Sequence, residues 1–144
     1  MNLDELRPIL AAYRKQVEPA WSAATAHPDY EGKPGDPTGQ CGVTSAWLQR
    51  RLREDHGIET AIRFLAWSHC WLETVEPGDA YPVVIDLTAN QWPQTEKWVV
   101  VCDEFTDLVR QDLLYVYIQS LTHEQLLADP VQERLALLTE AVQS

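Results

Sequence analysis

The chain has 144 residues, 45% hydrophobic and 23% charged, which is enough for one domain with a single sizeable core and too little for two. Eleven Lys and Arg stand against 22 Asp and Glu, a net charge of −11, and that balance repels nucleic acid and anionic membrane surfaces. No stretch nears the roughly 18 uninterrupted apolar residues of a membrane span, and the opening MNLDELRPIL lacks the basic-then-apolar layout of a secretory signal. The expected setting is the reducing cytoplasm, where Cys41, Cys70 and Cys102 stay free thiols, an odd number that cannot all pair within one chain.

Leu3, Leu6, Ile9, Leu10, Tyr13 and Val17 recur at helical spacing, predicting an amphipathic N-terminal helix over 1–18 that Pro19 stops. From Trp21 to Gln40 the chain carries Gly32, Gly35, Gly39, Pro28, Pro34 and Pro37, the punctuation of a long irregular segment. Residues 42–55 place Val43, Trp47 and Leu48 on one stripe with Leu52 beside it, and Gly57 stands where a helix ends, so a helix of about four turns is expected. Residues 58–75, rich in β-branched and aromatic types, read as the first strand of an antiparallel hairpin, with a turn at 76–82 and a second strand in VVIDLT. Residues 97–105 predict a further strand, apolar enough to be central. Residues 106–120 allow a helix end or a buried strand and are taken as helix. Thr122 caps a following helix, and Pro130 opens a last one with Val131, Leu135, Leu138 and Val142 on its stripe. The acidic excess is densest over 73–79 and 102–112, both read as solvated surface.

Cys41 follows Pro37-Thr38-Gly39-Gln40 and precedes the second predicted helix, so its sulfur lies near free backbone N–H groups at a positive helix end. That position favours a thiolate nucleophile; the alternative is a small buried hydrophobe, the commonest fate of a free cysteine. Thiol catalysis also needs a base and a third group to orient it. His69 in the first hairpin strand and Asp86 in the second supply those types, in the chain order of papain-like and transglutaminase-like thiol enzymes. The backbone N–H of Cys41 is one oxyanion donor. Gln40, Gln91 and Ser22 are candidates for a second, with Gln40 preferred by adjacency. Trp21, Trp67, Trp71 and Trp92 are candidates to wall a cleft, against the commoner role of core packing.

The chain reads Ala-Trp-Ser-Ala-Ala-Thr at 20–25, Gly-Gln-Cys-Gly-Val-Thr at 39–44, Ser-His-Cys-Trp at 68–71 and Asp-Leu-Thr-Ala-Asn-Gln-Trp at 86–92. In order and approximate spacing these resemble the YunG-like family of small bacterial proteins, over residues 20–142. The resemblance implies a cysteine-peptidase type of fold and supports the triad, and it names no substrate. Cys70 stands where the family pattern has an aromatic residue after the His, and the acidic turn EPGDAY lengthens the strand pair.

A zinc site is the chemical competitor, since Cys41, His69, Cys70 and Cys102 can all ligate. Structural zinc brings ligands in close pairs, and the adjacent His69 and Cys70 alternate to opposite faces of a strand. The same alternation sends Cys70 into the core if His69 faces a cleft, and Cys102 reads as core too. No metal or cofactor is expected. His27, His56 and His123 read as solvent-exposed. The Leu stripes of the last helices are core faces or the seam of a homodimer. The expected protein is one α+β domain over 1–144, a Cys41-bearing helix on a small antiparallel sheet with helices at both ends, similar to a papain-like or transglutaminase-like core. Its expected function is hydrolysis or acyl transfer on a peptide or other amide-bearing substrate. The alternative is a non-catalytic interaction module that keeps the three residues as a buried structural element.

Overall fold

The computed structural model describes residues 2–65, 69–75, 82–91, 100–105, 108, 119–121 and 131–143. Helix α1 (Leu3–Val17) starts at Asn2, whose side-chain oxygen accepts the Glu5 backbone N–H at 2.9 Å. Asp4 and Glu5 in its first turn and Arg14 and Lys15 in its last complement the helix dipole. Leu6, Leu10, Tyr13 and Val17 are buried, as the spacing predicts, and a 3₁₀ turn (Glu18–Ala20) containing Pro19 ends the element. Residues 21–40 form an irregular segment. Helix α2 (Cys41–His56) then buries Val43, Trp47, Leu48 and Leu52 and closes on Gly57 at φ 64°, a left-handed conformation that glycine adopts without strain.

Among the described residues five strands follow: β1 (Thr60–Leu65), β2 (His69–Thr74), β3 (Val83–Asp86), β4 (Val101–Glu104) and β5 (Gln119–Leu121). All their pairings are antiparallel, in the order β4-β3-β2-β1-β5. Helix α3 (Val131–Gln143) buries Val131, Leu135 and Leu138 on the predicted stripe, with Val142 partly covered. The result is an α+β architecture of helices on an antiparallel sheet. Ile62, Leu72, Ile85 and Cys102 are mutual partners in register across β1, β2, β3 and β4, and this row packs under the three helices as one core. Trp71, Val84, Val101, Ala89 and Leu108 form a second apolar cluster, and alternation places its strand residues on the opposite face of the sheet.

Four expectations are corrected. The run over 58–75 is two strands, β1 and β2, paired from Thr60↔Thr74 to Leu65↔His69. The reversal carries neither Gly nor Pro, so nothing punctuated it in the sequence. Among the described residues strand β4 lies at a sheet edge. It reads as central because Cys102 and Val101 are each buried in one of the two clusters, while Arg7 Nε donates to the Cys102 carbonyl at 3.1 Å and Arg7 Nη2 to Asp103 at 3.3 Å. Glu73, assigned to a solvated patch, is 1% exposed and paired with Arg63 Nε at 2.8 Å. Gln119 and Ser120 belong to β5 and not to a helix. The expected elements over 113–118 and 122–130, like His123, lie outside the described residues.

Candidate active site

Helix α2 presents Cys41 as its first helical residue. The residue before it, Gln40, makes no side-chain cap, so the first-turn N–H groups of α2 carry no side-chain acceptor from the position that usually supplies one. Gln40 is instead fully buried. Its Nε2 donates to the Ser22 carbonyl at 3.0 Å, and its Oε1 accepts from Thr25 Oγ1 at 2.8 Å. Trp21 adds a third tie, its Nε1 donating to Thr44 Oγ1 one turn into α2 at 2.9 Å. The Trp21, Ser22 and Thr25 segment thus clamps the start of α2 from outside. Gly39 takes φ 78°, and a Cβ there would meet Tyr30 Cβ at 2.8 Å, so glycine is required on two counts. At Gly42, beside the thiol, an added Cβ meets no atom within 4 Å.

His69 opens β2 and Asp86 closes β3, its hydrogen-bonded neighbour, so the sheet brings together two residues 17 positions apart. His69 Nε2 lies 2.5 Å from Asp86 Oδ2, with the two residues 5% and 2% exposed. The other carboxylate oxygen, Oδ1, accepts from the Thr88 backbone N–H at 2.8 Å and from Thr88 Oγ1 at 3.1 Å. Trp71 lies against the imidazole, ring centroids 5.8 Å apart. Nε2 is turned to Asp86, and Nδ1, the ring nitrogen away from the carboxylate, has Gln91 Nε2 3.0 Å from it. Cys41 lies close enough to Cys70 and to the His69 ring for both to act on its thiol.

These contacts set the charges. The Cys70 thiol has the largest effect on Cys41, holding its pKa down; burial opposes this; the hydrogen bond and charge of His69 then pull the same way as Cys70. The net result is a thiol titrating well below its ordinary value. Burial by itself lowers His69, but the charge and hydrogen bond of Asp86, helped by Cys41, outweigh it and lift the ring to about 10. Cys70 is pushed up, first by its hydrogen bond to Cys41 and then by burial, and stays a thiol. Both directions favour a thiolate and imidazolium pair. Cys41 is half-buried, whereas Cys70 and Cys102 are buried.

The structure therefore brings Cys41, His69 and Asp86 together, with His69 hydrogen-bonded to Asp86 and Cys41 interacting with the His69 ring. Cys70 is buried as the alternation argument holds, but its face is the Leu72 face, on which α2 packs, and so it meets the Cys41 sulfur. Of the oxyanion candidates, Gln40 is taken up by the loop and the Ser22 hydroxyl accepts from Ala24 N at 3.2 Å, while Gln91 Nε2 reaches His69 Nδ1 at 3.0 Å. Trp21 is buried in the core, and Trp67 and Trp92 lie outside the described residues. Sequence reasoning missed Arg14. Buried in α1, it donates from Nη1 to the Leu87 carbonyl at 2.6 Å and to Asn90 Oδ1 at 2.9 Å, with its guanidinium 4.7 Å from the centre of the Trp21 ring. It fastens the turn between Asp86 and Gln91. The signal was a charged residue on the apolar stripe, four after Leu10 and three before Val17.

No family model, curated protein or solved structure matches this chain. No helix among the described residues is long and apolar enough to cross a membrane.

Proposed function

We propose that the protein is a thiol hydrolase or acyl transferase acting on amides or thioesters, with Cys41 as nucleophile, His69 as base and then acid, and Asp86 as the orienting carboxylate. One observation carries the reading: a half-buried cysteine at the start of a helix and a buried carboxylate both interact with a single imidazole, whose Nε2 is taken by Asp86. The reading also keeps the chain within the YunG-like resemblance and a papain-like or transglutaminase-like core.

In the reaction, the Cys41 thiolate adds to the substrate carbonyl carbon, and the displaced electron pair rests on oxygen. The backbone N–H of Cys41 and its first-turn neighbours, left open by the uncapped Gln40, donate to that oxyanion. Collapse expels the leaving amine or thiol, which takes the proton from His69 Nδ1 and leaves a thioester on Cys41. Water, or an acceptor amine, then attacks that thioester, gives its proton to Nδ1 and frees the thiolate. Asp86, held on Oδ1 by two donors from Thr88, keeps Nε2 protonated throughout.

The test is alkylation by iodoacetamide at pH 6 with mass-spectrometric site assignment. Cys41 labels selectively, and His69→Ala abolishes that selectivity. Ordinary thiol reactivity indifferent to His69 refutes the triad.

A further inference from the structure

Gln91 lies at the end of a 3₁₀ turn (Ala89–Gln91), and its carboxamide orientation is dictated by its neighbours. Gln91 Oε1 accepts the Gly39 backbone N–H at 3.3 Å, and that group can only donate. Gln91 Nε2 donates to Thr88 Oγ1 at 3.2 Å, whose own proton goes to Asp86 Oδ1 at 3.1 Å. The amide nitrogen is therefore the atom at His69 Nδ1, 3.0 Å away. An N–H donates to Nδ1 only when that nitrogen carries a bare lone pair, and an sp² nitrogen has one. The proton from Cys41 needs the same lone pair. Once it arrives, Nδ1–H and the Gln91 N–H face each other as two donors.

We infer that Gln91 is a positioning residue that restrains the Cys41 and His69 pair: its N–H favours the neutral ring, against the imidazolium that Asp86 and Cys41 favour, until an incoming substrate amide displaces it. The inference rests on the proposed triad and deepens it. In that reaction the leaving nitrogen must come to Nδ1 to receive its proton, so productive binding and eviction of Gln91 are one event. Because Oε1 holds Gly39, two residues before the nucleophile, the same eviction loosens the loop beside Cys41. The ionisable groups facing this pair among the described residues are Asp86 from β3 and Cys70 from β2, with Glu73 and Arg63 beyond Trp71, whose Nε1 lies 3.4 Å from Glu73 Oε1.

The experiment is the pH profile of Cys41 alkylation by iodoacetamide in four full-length proteins: the parent, Gln91→Met, His69→Ala and the double variant. Gln91→Met keeps the side-chain length and removes the donor. Gln91→Asn, which stays polar but falls a methylene short of the ring, runs beside it in case the first fails to fold. In either variant the alkylation midpoint moves to lower pH by about one unit, so that labelling below the midpoint is about tenfold faster, as loss of one hydrogen bond to the neutral ring implies. In the His69→Ala background the acceleration vanishes. If His69→Ala slows the parent while both Gln91 variants keep its profile, the restraint is refuted and the triad stands. If His69→Ala leaves the parent unchanged, the triad fails and the restraint with it. An acceleration that persists without His69 also overturns the inference, because Gln91 then acts through something other than the base.

Discussion

Asp86→Asn is the sharpest perturbation, because the geometry dictates which way the new amide points. Oδ1 is held by two donors, the Thr88 N–H at 2.8 Å and the Thr88 hydroxyl at 3.1 Å, so the asparagine keeps its oxygen there and turns its NH2 toward His69. Nε2 must then be bare, and the ring proton moves to Nδ1, where it blocks transfer from the thiol. The charge that lifts the ring is lost as well. His69 stands at about 10 against an ordinary 6.5. Losing the charged partner withdraws a charge-assisted hydrogen bond of about 2–3 kcal/mol from the ion pair, at about 1.36 kcal/mol per pH unit. Labelling of Cys41 at pH 6 should fall about a hundredfold by the same conversion. The assay is second-order alkylation, with circular dichroism to establish that the variant is folded. A folded Asp86→Asn protein that alkylates at the parent rate refutes the reasoning, since neither the tautomer nor the charge would then matter to the thiol.

Cys70→Ala removes the largest of the interactions holding Cys41 down, so the Cys41 midpoint rises and labelling at pH 6 slows by about tenfold, the size of one charge-assisted hydrogen bond; Cys102→Ala, on the far side of β3, leaves it unchanged. Cys41→Ser changes how stability depends on pH. The His69 proton stabilises the fold fully below about 6.5 and that contribution is lost as pH climbs through about 10, whereas the Cys41 thiolate contributes above about 9 and is lost as pH falls. In the parent the two slopes oppose each other between about 6.5 and 9, giving a flat unfolding free energy. In Cys41→Ser only the His69 slope is left, so urea melts should show stability declining from about pH 6.5 upward, by at most about 1.4 kcal/mol per pH unit. A flat profile in the variant counts against the ion pair.

The N-terminal helix, α2 and the last helix were legible because each repeats its apolar residues at helical spacing and α2 carries its own terminator, Gly57. Cys41, His69 and Asp86 were legible as types in a plausible order, and the pairing of β2 with β3 is what turns that order into contact. The β1–β2 reversal was not, since no Gly or Pro stands between Leu65 and His69 to mark it. Cys70 was assigned correctly to the buried face, and what stayed hidden was its contact with Cys41. Alternation along β2 is a local rule and assigns faces correctly, but only packing decides on which face α2 comes to rest. Arg14 and Glu73 belong to the same class. Their partners, Leu87 and Asn90 for the one and Arg63 for the other, lie 73, 76 and 10 residues away, beyond any periodicity.

The motif residues that look independent in the sequence close into one circuit. Asp86 is oriented by Thr88, Thr88 accepts from Gln91, Gln91 accepts from Gly39, and Gly39 precedes the residue whose side chain Ser22 and Thr25 hold. Arg14 fastens the Asp86 side of that circuit to α1, and Trp21 fastens the Gln40 side to α2. Gln40 breaks a local rule. Serine or aspartate at a helix start stabilises it by about 1 kcal/mol, but does so by accepting the second or third N–H of the helix. Those are the donors an oxyanion beside Cys41 would need, and a buried Gln40 leaves them open while its own amide is satisfied elsewhere. Local helix stability is forgone at the one position where the capping side chain would compete with the substrate, and the hydrogen bonds to Trp21, Ser22 and Thr25 restore rigidity from outside the helix.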